Sequence, residues 1–112
     1  MLNDQDGLYT LFMKGVRKGE EIQDIELISN IVKAIDPYAN FNDYIELAKE
    51  ESLEFIISNT TEAGIAYVSS DKPTMQPPSS FPAKLTLLLH ERFKYFNGDS
   101  SKGLTLIPCE LI

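Results

Sequence analysis

The feature that most constrains this 112-residue chain is a strand–helix–strand pattern in its second half. Residues 53–58 (LEFIIS) form a short, nearly continuous apolar run, which is typical of a strand buried on both faces of a parallel sheet. Residues 103–108 (GLTLIP) predict a second short buried strand. The connection between them is long enough for a right-handed parallel crossover. Residues 53–108 therefore predict a βαβ unit of a doubly wound α/β sheet.

A helix is predicted between these two strands. Ser79 or Ser80 can cap it, Pro82 is tolerated in its first turn, and it is expected to end before Asn97 and Gly98. Its predicted stripe comprises Leu85, Leu88, Leu89, Arg92 and Phe96. Residues 69–82 are rich in turn formers and predict an exposed loop before the helix.

The first part of the chain predicts a β-hairpin-like segment. Residues 8–16 (LYTLFMKGV) predict a strand that enters a turn at residues 17–19. Residues 20–35 begin as a returning strand. Beyond Leu27 their apolar positions fit neither the strand nor the helix period, so the pattern leaves that stretch open.

A short helix should follow this segment. The break at Asp36 and Pro37 disfavours helix at that point, and Asn40 can then cap a helix that runs to about Glu50. Phe41, Tyr44, Ile45 and Ala48 would give this helix one apolar face.

Polar residues follow both predicted strands of the βαβ unit. Ligands of doubly wound sheets bind outside the carboxyl ends of the strands, so these two turns should meet at a binding edge. Gly64 permits close backbone approach there, and amide, hydroxyl and carboxylate groups suit hydrogen bonding to ribose or nicotinamide. A helix N-cap formed by Thr60 or Thr61 would account for the same residues equally well, and both interpretations can hold. The candidate cofactor-binding residues are Asn59, Thr60, Thr61 and Glu62.

The remaining reactive residues favour structural interpretations. His90 is expected at the surface of the predicted helix, and Cys109 is expected to be buried at a strand end. The adjacent pairs Glu20-Glu21 and Glu50-Glu51 are more typical of solvated turns than of catalytic dyads. We predict no catalytic residue and no metal-ligand set, and the sequence has neither a glycine-rich dinucleotide fingerprint nor a P-loop.

The charge and cysteine content narrow the class of partner. Ten basic residues against 17 acidic residues give a net charge of -7, which disfavours binding to nucleic acid or to an anionic membrane surface. The single cysteine excludes an internal disulfide and fits a reducing, cytoplasmic setting. No export signal and no run of membrane-spanning length is apparent.

Four blocks in order resemble the nucleotide-binding domain of the mannitol dehydrogenase family: LNDQDGLYT, FIISNTTEAGIAY, SFPAKLTLLLHERFKYFNGD and KGLTLIPCELI. The resemblance implies a partial Rossmann-like doubly wound sheet that binds a nicotinamide cofactor, usually NAD. It further implies hydride transfer between that cofactor and a small hexuronate, interconverting D-tagaturonate and D-altronate in hexuronate catabolism. The family needs no catalytic metal.

The resemblance also implies residue roles at the two turns. Thr60, Thr61 and Glu62 match a threonine-rich turn near the cofactor. Cys109, Glu110 and Leu111 stand where mannitol dehydrogenases usually have Cys-Asp-Asn. Because leucine offers no hydrogen-bond donor, an oxyanion-stabilising role at Leu111 is in doubt.

The resemblance finally implies that residues 1–112 are an internal piece of one NAD-binding domain. In this family the glycine-rich fingerprint lies before the matched region, and the substrate domain with its lysine base lies after it. The piece is expected to be inactive alone, and an exposed sheet edge and apolar face favour its self-association. The alternative is a noncatalytic module that keeps the fold and binds a protein partner through residues 69–82.

Overall fold

The computed structural model describes residues 3–5, 7–17 and 20–111, and it divides the chain into two compact units, Met1–Ile35 and Asp36–Ile112. The described residues mix helices with strands, and the second unit contains a parallel sheet. The predicted α/β class with a partial Rossmann-like sheet is therefore confirmed.

The first unit contains the predicted hairpin. A 3₁₀ turn at Asn3–Gln5 precedes strand β1 (Tyr9–Arg17), which pairs antiparallel with strand β2 (Glu20–Ile28). The stretch left open beyond Leu27 thus stays in the strand for one more residue. The predicted turn residues Lys18 and Gly19 lie outside the described residues. Gly7 has a φ of +72°, and a Cβ there would lie 2.1 Å from the carbonyl oxygen of Ile31, so this entry to β1 requires glycine.

The second unit begins with the predicted short helix, α1 (Phe41–Glu46). Asn40 caps it as expected, because the Asn40 side chain accepts a hydrogen bond from the Asp43 amide at 3.3 Å. The helix is shorter than predicted and continues as a 3₁₀ turn at Leu47–Lys49, in which Ala48 is fully buried.

The βαβ unit is confirmed. Strands β3 (Phe55–Ser58) and β4 (Thr105–Pro108) pair in parallel, with Phe55 opposite Thr105 and Ser58 opposite Pro108. Helix α2 (Phe81–Tyr95) lies between them in sequence. The carboxyl ends of both strands therefore meet at one edge of the sheet.

Helix α2 begins and ends where the sequence predicts. The Ser80 side chain accepts from the Ala83 amide at 3.3 Å. At the other end Asn97 and Gly98 have positive φ values of 54° and 72°, and the Gly98 amide donates to the Phe93 carbonyl at 2.9 Å. The Gly98 bond and the positive φ values are those of a Schellman motif, which ends the helix. On the predicted stripe, Leu88 and Arg92 are buried.

The predicted burial of β3 and β4 on both faces is wrong for this chain. Phe55 and Ile57 are 54% and 68% exposed, and all four residues of β4 are exposed. Ile56 and Leu106, on the opposite face, lie with residues of α2 around a cavity of about 260 Å³. Alternate strand residues point to opposite faces, so one helix covers only one of them. Cys109, which follows β4, is likewise exposed rather than buried.

Arg92 binds the chain segments that lead into both strands. Its guanidinium donates to the carbonyls of Ala48 at 3.1 Å, Glu50 at 2.7 Å and Leu53 at 3.2 Å, all before β3. It also donates to the Lys102 carbonyl at 2.7 Å, just before β4. The buried cation is thus satisfied by four carbonyl oxygens, which a buried guanidinium requires.

The loop predicted at residues 69–82 ends at Ser80, because Phe81 and Pro82 already belong to α2; residues 69–80 contain no helix or strand, and Asp71 binds the end of this loop. The Asp71 carboxylate accepts hydrogen bonds from the hydroxyls of Ser80 and Ser79, the latter at 2.7 Å. It also accepts from the Ser80 amide at 3.0 Å and from the Ser79 amide at 2.7 Å. The hydroxyl bonds from Ser80 and Ser79, followed by the amide bonds, hold the pKa of Asp71 well below its usual range. The carboxylate therefore fixes the chain immediately before α2.

Candidate functional site

The turns that follow β3 and β4 contact each other, as the parallel arrangement predicts. The Cys109 amide donates to the Ser58 carbonyl at 2.8 Å, which extends the ladder by one residue. Beyond it, the Glu110 carboxylate accepts from the Thr60 amide and from the Thr60 hydroxyl, both at 3.3 Å. Residues 50 positions apart in sequence thereby form one polar edge.

The Glu110 carboxylate is stabilised in its charged form. Hydrogen bonds from the Ser58 hydroxyl, the Glu110 amide and Thr60 lower the pKa of Glu110. The site therefore presents an ionised carboxylate that is already engaged by protein donors at neutral pH.

The threonine turn, residues 60–62, leads into a short 3₁₀ turn whose N-cap residue is Glu62, rather than Thr60 or Thr61 as the capping interpretation predicts, although the Thr61 hydroxyl does accept from a backbone amide of that turn. The Gly64 amide donates to the Thr61 hydroxyl at 3.1 Å and to the Thr61 carbonyl at 2.8 Å, at the start of a 3₁₀ turn at Ala63–Ile65. A Cβ on Gly64 would lie 2.9 Å from the Thr60 Cβ. The backbone at residue 64 can therefore pack this close to Thr60 only because the residue is glycine. Asn59 and Glu62 are exposed beside it.

A cleft of about 400 Å³ opens beside the threonine turn. It lies between that turn and the first turn of α2, and Lys84 is the only charged residue among the described residues that line it. The polar or glycine residues around the cleft are Thr60, Thr61, Gly64, Ser79, Ser80 and Lys84.

Lys84 is held by neutral groups. Its ammonium donates to the Tyr38 hydroxyl at 2.9 Å and to the Ser79 carbonyl at 2.8 Å, and it lies 4.8 Å from the centre of the Tyr38 ring. The Lys84 carbonyl accepts from the Tyr44 hydroxyl at 2.7 Å, and burial raises the pKa of Tyr44 to about 12. Lys84 was not predicted from the sequence; the one signal for it is a positive charge in the first turn of a predicted helix, where the helix dipole disfavours a cation.

His90, Glu50 and Glu51 are not among the residues that line this cleft. His90 is exposed on α2, as predicted. Glu50 accepts from Ser52 and Glu51 lies 3.9 Å from Lys102, so this pair occupies a solvated turn, as expected. The side chains of Glu20 and Glu21 lie outside the described residues. Among the described residues, no group of three His, Cys, Asp or Glu side chains could hold a metal ion, and no helix could cross a membrane.

The sequence as a whole matches one protein family, described as the mannitol dehydrogenase Rossmann domain, over residues 1–112. The chain belongs to this family.

Several relatives in the family are altronate oxidoreductases. The enzyme of Bacillus subtilis strain 168 is 50% identical over 111 residues, which are 99% of this chain and 23% of the relative. Those of Yersinia pestis strain Nepal516 and Bacteroides thetaiotaomicron are 49% and 48% identical over 112 residues, 99% and 100% of this chain and again 23% of each relative. The chain thus spans about a quarter of the length of these relatives. No solved structure matches it.

Membership in a Rossmann dehydrogenase family implies a nucleotide cofactor, and the residues present fit one. Such cofactors bind across the carboxyl edge of the parallel strands, where Thr60, Thr61 and Glu110 lie. Gly64 lets the two threonines pack closely against the backbone there, because a Cβ at Gly64 would lie 2.9 Å from the Thr60 Cβ. Thr60, Thr61, Asn59 and Glu62 offer hydroxyl, amide and carboxylate groups at this edge that could hydrogen-bond such a group.

Proposed function

We propose that this chain is part of the cofactor domain of an NAD-dependent oxidoreductase that interconverts D-tagaturonate and D-altronate in hexuronate catabolism. The observation that carries the proposal is identity of 48–50% to altronate oxidoreductases of three bacteria across nearly the whole chain. The hydrogen-bonded edge formed by Thr60 and Glu110 supports it.

The proposed domain lies within a larger polypeptide. Residues 1–112 have no glycine-rich fingerprint, so the glycine-rich loop whose backbone amides cradle the pyrophosphate would belong to a segment outside them. The base that removes the hydroxyl proton would likewise come from a separate substrate domain. We therefore expect the 112-residue chain alone to be inactive, and the full-length protein to act in the cytoplasm.

Within this arrangement NAD would accept the hydride. Asn59, Thr60, Thr61 and Glu62 would line its nicotinamide and ribose side. Thr60 is already oriented by the Glu110 carboxylate, and Thr61 by the Gly64 amide, so both would hold their positions before a ligand arrives. Preorganisation of this kind reduces the ordering cost of binding.

The experiment that tests the proposal measures NADH oxidation with D-tagaturonate as substrate. The full-length protein and the 112-residue chain are assayed side by side, with NADPH and with other hexuronates and ketoses as comparisons. We expect turnover by the full-length protein alone, with NADH and D-tagaturonate preferred. No turnover by the full-length protein with any of these substrates would contradict the proposed function.

A second candidate is a noncatalytic module that binds a protein partner through residues 69–82. The observation in its favour is a largely apolar cleft of about 240 Å³ lined by Tyr67, Pro73, Pro78 and Leu87. Tyr67 is 87% exposed, so a partner could contact it. A full-length protein that binds no nicotinamide nucleotide in titration calorimetry would favour this candidate.

A further inference from the structure

Lys84 has no described carboxylate oxygen within 4 Å of its ammonium. Its side chain is half-buried, and its two hydrogen-bond partners, Tyr38 and Ser79, are neutral acceptors. Other lysines of this unit do have carboxylate partners: Lys49 pairs with Glu46, Lys94 with Glu91 and Lys102 with Glu51. A cation partly withdrawn from water is stabilised most by an anion, and none of the described residues places one within ion-pair distance of this ammonium.

The position of Lys84 in the helix adds to this imbalance. It lies in the first turn of α2, where the helix dipole is positive and favours negative groups. The amides of Ser79 and Ser80 are already bound by Asp71, and the Ala83 amide is bound by Ser80. An anion in this cleft would therefore contact the lysine, while the dipole would add attraction.

The cleft places Lys84 near the residues proposed to contact the cofactor. Thr60, Thr61 and Gly64 line the same space of about 400 Å³. That volume is within the range of small-ligand sites. A lysine in the first turn of a helix with no carboxylate within ion-pair distance departs from the usual charge pattern of helices, and such departures are typical of functional positions.

We propose that Lys84 binds an anionic oxygen group of the ligand in this cleft, either the carboxylate of the sugar acid or a phosphate of the nicotinamide cofactor. The proposal rests on the proposed function, which supplies both groups. Tyr38 and Ser79 fix the ammonium from one side, and its third N–H remains for the ligand.

The test measures ligand binding to the full-length protein by titration calorimetry. NADH is titrated alone, and D-altronate is titrated into the NADH-saturated protein, a pair that cannot react. D-altritol, which lacks the carboxylate, is titrated in the same way. If Lys84 binds the carboxylate, Lys84→Gln should weaken D-altronate binding about tenfold or more and leave D-altritol and NADH unchanged. If it binds a phosphate, the same loss should appear for NADH.

Two further variants separate charge from structure. Lys84→Arg keeps the cation and should retain affinity within about threefold of the wild type. Lys94→Gln removes an exposed lysine of the same helix and should leave every constant unchanged. Affinities of Lys84→Gln within about twofold of the wild type for both ligands, or equal losses in Lys84→Gln and Lys84→Arg, would overturn the proposal.

A measurement on the wild-type protein avoids dependence on how the variants fold. Lys84 is acylated by an amine-reactive reagent, and its modification is followed by peptide mass mapping with and without NADH and D-altronate. We expect the ligand that binds Lys84 to slow its modification at least about fivefold while Lys94 is unaffected. Equal modification rates in all samples would overturn the proposal. Failure of the wild type to bind either ligand would instead refute the proposed function.

Discussion

Gly64 lies where the threonine turn leaves no room for a side chain. An added Cβ would be 2.9 Å from the Thr60 Cβ and 3.3 Å from the Thr61 hydroxyl oxygen. We therefore expect Gly64→Ala to displace the turn, to destabilise the protein by about 1–3 kcal/mol and to weaken NADH binding. Denaturant unfolding and NADH titration of the full-length protein measure both effects. Gly103→Ala is the matched control because its Cβ would meet only the Ser100 carbonyl at 3.5 Å; equal effects of the two substitutions would contradict the prediction.

Glu110 should contribute a pH-dependent part of the stability. Hydrogen bonds from Ser58 and Thr60 lower its pKa in the folded state. A lowered carboxyl pKa stabilises the fold above the unfolded-state value of about 4.3, and this contribution is lost as the pH falls through the folded-state value. Glu110→Gln should therefore lower the Tm near neutral pH and lose less further stability than the wild type on acidification below about pH 4. Identical pH profiles of wild type and variant would contradict this, and Glu62→Gln, at an exposed neighbouring position, is the control.

At the scale of elements, Arg92 connects α2 to the segments before both parallel strands. Its guanidinium satisfies four carbonyls, three before β3 and one before β4. Lysine cannot reach four acceptors in this fork-like arrangement. Arg92→Lys should therefore cost about 3 kcal/mol of unfolding free energy, because the buried Ala48 carbonyl and the partly buried carbonyls beside it lose donors. Lys94→Gln, which breaks only an exposed ion pair with Glu91, should change stability by less than about 0.5 kcal/mol; a comparable loss in both variants would contradict the assignment.

Local sequence patterns predicted elements well and contacts between distant residues poorly. The Ser80 cap and the Asn97-Gly98 stop of α2 depend on neighbouring residues, and both are where the sequence predicts them. The threonine turn and Glu110 meet because parallel strands end together, which topology alone implies. The Tyr38–Lys84 contact joins residues 46 positions apart through side chains, and no local pattern encodes it. The burial of β3 and Cys109 was predicted wrongly because burial depends on what covers the sheet, and α2 covers only one face.

At the scale of the whole molecule, the uncovered sheet face should determine the oligomeric state of the isolated 112-residue chain. Phe55, Ile57 and Ile107 lie on this face and are 54%, 68% and 39% exposed. Parallel sheets are normally covered on both faces, so we expect the 112-residue chain to self-associate through these residues. Light scattering after size exclusion should show species larger than a monomer that decrease on dilution. Ile57→Ser should shift them toward the monomer, whereas Tyr67→Ser, at another exposed position, should not.

The same substitution should act in the opposite way in the full-length protein. The relatives are about four times as long as this chain, so the proposed parent has ample additional sequence to cover the face. Ile57 would then be buried, and Ile57→Ser should cost about 2–4 kcal/mol of unfolding free energy through lost apolar burial and a new buried hydroxyl. Chemical unfolding of the full-length protein measures this cost. Unchanged stability of full-length Ile57→Ser, together with a monomeric 112-residue chain, would contradict both predictions. It would mean that this sheet face stays exposed to solvent, neither covered by the rest of the full-length protein nor used for self-association.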